Sequence, residues 1–193
     1  MGKCNQELLA ERARNIPLYL HAYAFHLNMR YERVLPGDLL DIAHQQKLKG
    51  VKIHVEDGES QSLQKLNDQQ LHDFKEKAKK YNLDVHIETS ASDKATLTDA
   101  IRIAVATGAT SVRFYPRYEG YLNDVMAKIA NDIAWLSQYD DCGLSFTIEQ
   151  HEDLQGHELV TLVNNSGMKN LSILFDSIPT IARIQYHLAM VTS

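Results

Sequence analysis

The sequence predicts an α/β fold, a parallel sheet whose strands are joined by helical crossovers, and three observations predict it. Short apolar, β-branched runs alternate with amphipathic helical stretches six times over, the pattern that parallel sheets with crossover helices produce. Several of these runs end in polar or charged residues, among them Glu56, Glu88, Glu149 and Asp176. No glycine-rich phosphate loop follows the first run, as a dinucleotide-binding sheet would require. Two architectures compete: a (β/α)8 barrel of TIM type, incomplete with about six βα units, and an open doubly wound parallel sheet. A full barrel needs about 250 residues and this chain has 193, so length favours the open sheet while the strand ends favour the barrel. Residues 1–193 are read as one partial barrel domain.

Each element has its own justification. Residues 7–14 form a short charged helix. The first strand, 17–21, leads into a segment carrying His21, His26, Asn28 and Arg30. Pro36 and Asp38 suit the first turn of a helix that runs to Lys49, with Gly50 as its stop. The second strand is 51–55. A polar linker, 58–62, precedes the longest helix, 63–80, where Leu63, Leu66, Leu71, Phe74 and Ala78 make one apolar stripe. The third strand is 84–89. Ser92 and Asp93 can cap the next helix, whose core face is Leu97, Ile101, Ala104 and Val105 and whose stop is Gly108. The fourth strand, 111–115, halts at Pro116. A helix over 121–137 turns Leu122, Val125, Ile129, Ile133 and Leu136 inward. The fifth strand starts at Gly143 and delivers Glu149, with Glu152 and Asp153 beyond it. A helix over 156–165 buries Leu159, Leu162 and Val163 and stops at Gly167. The sixth strand, 171–175, ends on Asp176, and Ile178, Ile181, Ile184 and Leu188 can form a short helix in the tail.

Composition excludes several classes of function. With 44% apolar and 23% charged residues, the chain reads as an ordinary globular protein. A net charge of −5 lacks the basic face that nucleic acid or an anionic membrane attracts. No apolar run approaches the ~20 residues of a membrane span, and the N-terminus lacks the apolar core of a signal peptide. Gln6 stands where myristoylation of Gly2 expects Ser or Thr. Cys4 and Cys142 fit a reducing compartment, and Cys142 is read as a small packing residue. The expectation is a cytoplasmic protein with no nucleic-acid and no membrane partner.

Alternation along a strand puts residues two apart on the same face, which couples His54 with Glu56, His86 with Glu88, and Glu149 with His151. In a closed barrel these pairs converge on one mouth. Glu149 follows a Phe-Thr-Ile run that should be buried, and a buried carboxylate needs a partner. Glu149 and Asp176, on neighbouring strands, can share a divalent cation; oxygen ligands suit Mg or Mn, and mixed His/carboxylate sets suit Mn, Co or Zn. His54 and His86 divide between barrel packing and substrate contact. Glu56, Asp57, Glu152 and Asp153 divide between loop solvation, helix N-terminal charge and function. Arg113 and Arg117, with Tyr115, can grip an anionic substrate group or make solvent-facing salt bridges. His44 and His72 are read as surface residues.

Four segments, Leu-His-Ala-Tyr-Ala-Phe-His-Leu (20–27), Val-Lys-Ile-His-Val-Glu-Asp (51–57), Phe-Thr-Ile-Glu-Gln-His-Glu-Asp (146–153) and Ile-Leu-Phe-Asp (173–176), together resemble the xylose isomerase-like TIM-barrel superfamily. That group includes sugar isomerases and epimerases related to tagatose 3-epimerase. The resemblance implies one divalent cation held by a Glu after strand five, an Asp after strand six, a His after strand seven and a Glu after strand eight. Glu149 matches the first of these ligands and Asp176 the second. It further implies that a carboxylate removes a proton from the carbon between a carbonyl and a hydroxyl, giving an ene-diolate that the cation stabilises before reprotonation. Glu149 would be one such base, with His21, His54, Glu56, His86, Glu88, His151 and Arg113 as candidate substrate-binding residues. Strands seven and eight have no counterpart here, so the cation site (Mn, Mg, Co or Zn) is incomplete. Pro179 stands where the family often has a His or Asn.

The expected function is thus a divalent-metal-dependent isomerase or epimerase of a small sugar or sugar derivative, in a truncated or frame-shifted form whose activity is in question. An unclosed barrel exposes the edges of strands one and six and part of an apolar interior, which predicts a homodimer or a poorly soluble monomer. The alternative is a degenerate barrel that binds a carbohydrate-like ligand without turnover, favoured by the two missing ligands. A third reading, an endonuclease IV-like DNA repair enzyme, needs a His-rich trinuclear zinc site and a basic DNA face, and the acidic charge speaks against it.

Overall fold

The computed structural model describes residues 10–13, 15–150 and 154–175. Its strands are β1 (Tyr19–His21), β2 (Gly50–His54), β3 (Asp84–Thr89), β4 (Ser111–Phe114), β5 (Ser145–Gln150) and β6 (Leu171–Phe175). A short helix α1 (His26–Arg30) follows β1, and the longer ones are α2 (Pro36–Gln45), α3 (Asp68–Lys80), α4 (Lys94–Thr107), α5 (Leu122–Leu136) and α6 (Gly156–Ser166). Every strand pair is parallel, and the order across the sheet is the order in the chain, β1 to β6. A doubly wound sheet reverses its strand order at a switch point. This sheet never does, so it carries the winding of a (β/α)8 barrel, with β1 and β6 as its two edges among the described residues.

The two faces of the strands differ completely. Val51, Ile53, Ile87, Val112, Phe114, Phe146 and Ile148 lie on the face covered by the helices, each 0% exposed. They are register partners across the sheet, as in Ile87 with Val112 and Phe114 with Ile148. Leu39, Leu40, Leu71, Leu97, Ile103, Ile129 and Leu159 of the helices complete that core. The alternating positions, on the concave face, are Tyr19, His21, Lys52, His54, Asp84, His86, Glu88, Ser111, Arg113, Ser145, Thr147 and Glu149. The expectation of an exposed apolar interior is therefore corrected: the face that a barrel would enclose is polar from β1 to β5.

Local chemistry accounts for the helix ends, and in several places corrects the boundaries read from sequence. The long third helix begins at Asp68 rather than Leu63, because Asn67 accepts a hydrogen bond from the Gln70 N–H while the Gln70 side chain accepts from the Asn67 N–H, a reciprocal cap. Leu63–Lys65 is a separate 3-10 turn. Asp93 caps α4 by accepting from Ala95 and Thr96, whereas Ser92 donates instead to Asp132 of α5 at 2.7 Å. Gly108 and Gly167 end their helices in the left-handed conformation, at φ 69° and 67°. Gly50 does not: α2 ends at Gln45, Lys47 takes the left-handed conformation at φ 56°, and Gly50 is the first residue of β2. A Cβ there would overlap the Asp84 carbonyl of β3, so glycine is required by close backbone approach. Val105 and Leu122, expected inside, are 62% and 49% exposed, and Cys142 is exposed rather than packed. Among the described residues no helix is long and apolar enough to cross a membrane.

Candidate functional site

Parallel pairing aligns the concave residues into rows, each one residue step further along the strands on that face. One row reads His21, Lys52, His86, Ser111, Ser145. The next, nearer the carboxyl ends, reads His54, Glu88, Arg113, Thr147, Ser172, and Glu149 lies one step beyond, opposite Leu174. Because the sheet curls, residues of β1 and β6 face one another across the hollow. A cavity of about 250 Å3 is lined by His21, Lys52, Glu88, Arg113, Glu149, Leu174 and Phe175.

Arg113 is the hub of this cavity. Its guanidinium donates to Glu88 at 2.6 Å and to Glu149 through a second nitrogen, and it lies 5.3 Å from the Tyr115 ring. All three charged side chains are about one-tenth exposed or less. His21 adds an Nε2 contact to Glu88 at 3.0 Å. Burial pushes the Glu88 carboxyl up, but the His21 hydrogen bond and the Arg113 charge outweigh it and hold the group at about 2. Burial likewise works against the Arg113 charge, and the Glu88 carboxylate more than reverses this. The result is a buried carboxylate–guanidinium–carboxylate array, with Arg113 bonded to both glutamates through separate nitrogens. The solvent-facing salt bridge considered for Arg113 is thus replaced by a buried one. Arg117, in contrast, is exposed, with its guanidinium on the Tyr115 hydroxyl at 2.7 Å.

The remaining sequence candidates lie around this array. His54 is half-buried at the end of β2, 3.9 Å from the exposed Glu56, and burial lowers its pKa. Asp57 is pushed up by burial, and its Oδ2 is buried with no hydrogen-bond partner among the described residues. His86 shares the row of Lys52 but faces Ser111, with Nδ1 to Oγ at 2.5 Å; burial lowers its pKa, and its Nε2 has no partner among the described residues. His44 and His72 are exposed. His151, Glu152, Asp153 and Asp176 lie outside the described residues. The fold therefore gathers His21, Glu88, Arg113 and Glu149, leaves Glu56 at the rim, and holds His86 off the cavity. It adds Lys52, which sequence reasoning passed over as part of an apolar strand; strict alternation with Val51 and Ile53 was the available signal.

The described donor set does not make a metal site by itself. Among the described residues no three His, Cys, Asp or Glu side chains come together to hold a metal ion. Glu149, the first ligand implied by the resemblance, is bonded to Arg113.

The fold and cavity define a sequentially wound, open α/β sheet of incomplete-barrel type with a charged site towards the carboxyl ends of its strands. Solved structures share that architecture. D-psicose 3-epimerase matches with a TM-score of 0.62 at 12% identity, over 72% of this chain and 57% of the other. A xylose isomerase domain-containing protein from Salmonella typhimurium LT2 matches with a TM-score of 0.59 at 15% identity, over 80% and 58%. A sugar phosphate isomerase/epimerase from Parabacteroides distasonis matches at 0.58 and 10%, over 86% and 69%. The chain has the xylose isomerase-like TIM-barrel fold, with five of its βα units and a sixth strand described. It is 62% identical over 173 residues to the uncharacterized protein YihM of Escherichia coli K12, covering 89% of this chain. The chain spans about half the length of that curated relative, 53%. No family model matches the sequence.

Proposed function

We propose that the chain carries part of the active site of a sugar isomerase or epimerase that works by proton transfer through an ene-diolate. The observation that carries this reading is the buried Glu88–Arg113–Glu149 array at the carboxyl ends of the strands, in a fold shared with proteins described as epimerases and isomerases. Glu149 is the proposed base. Its partner Arg113 has five N–H donors, enough to keep Glu88 while bonding a developing oxyanion on the substrate carbonyl. That places positive charge where negative charge forms and frees Glu149 to accept the proton from the neighbouring carbon. His21 holds Glu88, and Glu88 holds Arg113. A divalent cation (Mn, Mg, Co or Zn) would need Glu149 released from Arg113 and ligands beyond the described residues, such as Asp176, so no step is assigned to it. The two sheet edges at β1 and β6 are the proposed surfaces of a homodimer.

The second reading, ligand binding without turnover, is favoured by the same ion pairs, because a carboxylate bonded to a guanidinium is a weakened base. Isotope exchange separates the two. A turning-over protein incorporates solvent deuterium next to the carbonyl of a ketose in D2O, with or without added Mn, and Glu149→Gln abolishes the exchange. Saturable ketose binding with no exchange in the wild type selects the binding protein. Neither exchange nor binding removes both readings.

A further inference from the structure

The row below the array has a composition of its own. His21, Lys52, His86, Ser111 and Ser145 are register partners across five strands, and every one offers an N–H or O–H while none is a carboxylate. Three members are already committed: His21 Nε2 to Glu88 at 3.0 Å, and His86 Nδ1 and the Ser111 hydroxyl to each other at 2.5 Å. Lys52 is not. It is half-buried and lines the cavity, and no carboxylate of the described residues forms an ion pair with its ammonium. Its recorded neighbour is the Tyr19 ring, 6.0 Å away, at the outer limit of a cation–π contact.

A lysine at a surface normally extends its ammonium into water, and one that turns inward normally meets an acid, as Lys77 meets Asp41 at 2.6 Å on the helical side of this molecule. Arg113 shows what a satisfied cation looks like here, with a carboxylate on each of two nitrogens. Lys52 lines the same hollow, and its ammonium carries three donors with no ion-pair partner among the described residues. A compact ammonium suits a phosphate or carboxylate group as a point charge. The cavity of about 250 Å3 places such a group one row below Arg113 and two rows below Glu149, the proposed base.

We infer that Lys52 seats an anionic group of the ligand, so that the substrate class is a sugar bearing a phosphate or a carboxylate rather than a neutral sugar. This rests on the isomerase or epimerase reading above and narrows it. The competing explanation is that Lys52 offsets the surplus negative charge of Glu88 and Glu149 over Arg113 without touching ligand.

Calorimetric titration of the 193-residue chain with fructose, fructose 6-phosphate, gluconate and inorganic phosphate separates these explanations. A seat at Lys52 makes fructose 6-phosphate or gluconate bind at least about tenfold tighter than fructose, a preference that weakens as salt screens it. The gluconate and fructose 6-phosphate arms distinguish carboxylate from phosphate. Lys52→Met removes the preference and Lys52→Arg retains most of it, with unchanged thermal unfolding showing that both variants are folded. Equal affinity for fructose and fructose 6-phosphate, a preference that survives in Lys52→Met, or no binding of any anion overturns the assignment. Deuterium exchange on fructose with equal affinities sinks the lysine seat and leaves the isomerase reading standing. Tight, Lys52-dependent binding of fructose 6-phosphate with no exchange on any ligand does the reverse.

Discussion

The two faces of the same six strands are built to opposite rules. On the helical face, side chains from β2 to β5 are apolar, aligned in register and withdrawn from water. On the concave face they are charged or hydroxylated, and their order is set by hydrogen bonds and ion pairs. TIM barrels ordinarily fill the enclosed side with branched apolar residues. Here hydrophobic burial falls on the outer layer alone, and the inner layer is free to serve chemistry. Stability and the candidate chemistry thus fall on alternate residues of each strand.

Substitutions should therefore sort by face, beginning with the largest effect. Phe114→Ala, on the helical side and 0% exposed, is expected to cost about 3–5 kcal/mol by loss of burial and the cavity left behind. Urea unfolding measures it, and a cost below about 1 kcal/mol would dissolve the proposed division. On the concave side the array gives an acid-sensitive contribution. The Glu88 carboxyl is held at about 2 against an ordinary 4.5, a difference of about 3 kcal/mol. A lowered folded-state pKa stabilises fully above the unfolded value and is lost as pH falls through the folded one. Unfolding free energy should accordingly drop from pH 4.5 towards 2, and Glu88→Gln should flatten that slope. The lowered pKa values of His54 and His86 act in the same direction, beginning below their ordinary 6.5. At the small end, Ser145→Ala on the concave face should change stability by less than about 0.5 kcal/mol, since Ser145 is exposed; a loss comparable to Phe114→Ala would mean that the inner face is structural after all.

These faces were unevenly legible beforehand. The helical side was readable because burial imposes period-two and period-3.6 patterns, and Val51, Phe114 and Leu71 all follow them. Where the pattern misled, a competing force was at work. Asn67 and Gln70 formed a cap that overrode the apolar stripe beginning at Leu63, and steric approach to Asp84 put Gly50 in a strand rather than at a helix end. The concave side resisted reading because rows depend on register, and register relates residues some 30 positions apart that no local pattern couples. Glu149 could be singled out as a carboxylate needing a partner. That the partner is Arg113, shared with Glu88, or that Lys52 stands beside His86, required the strands to be aligned.

That alignment has an unexpected anchor. At Gly50 only a hydrogen fits against the Asp84 backbone, and Gly50 and Asp84 are the first partners of the β2–β3 pair. Sliding β2 by one residue in either direction would drive the Cβ of Lys49 or Val51 into that gap. A missing methyl group thus works as a notch that keeps two strands in step, and through them it keeps Lys52 beside His86 and His54 beside Glu88.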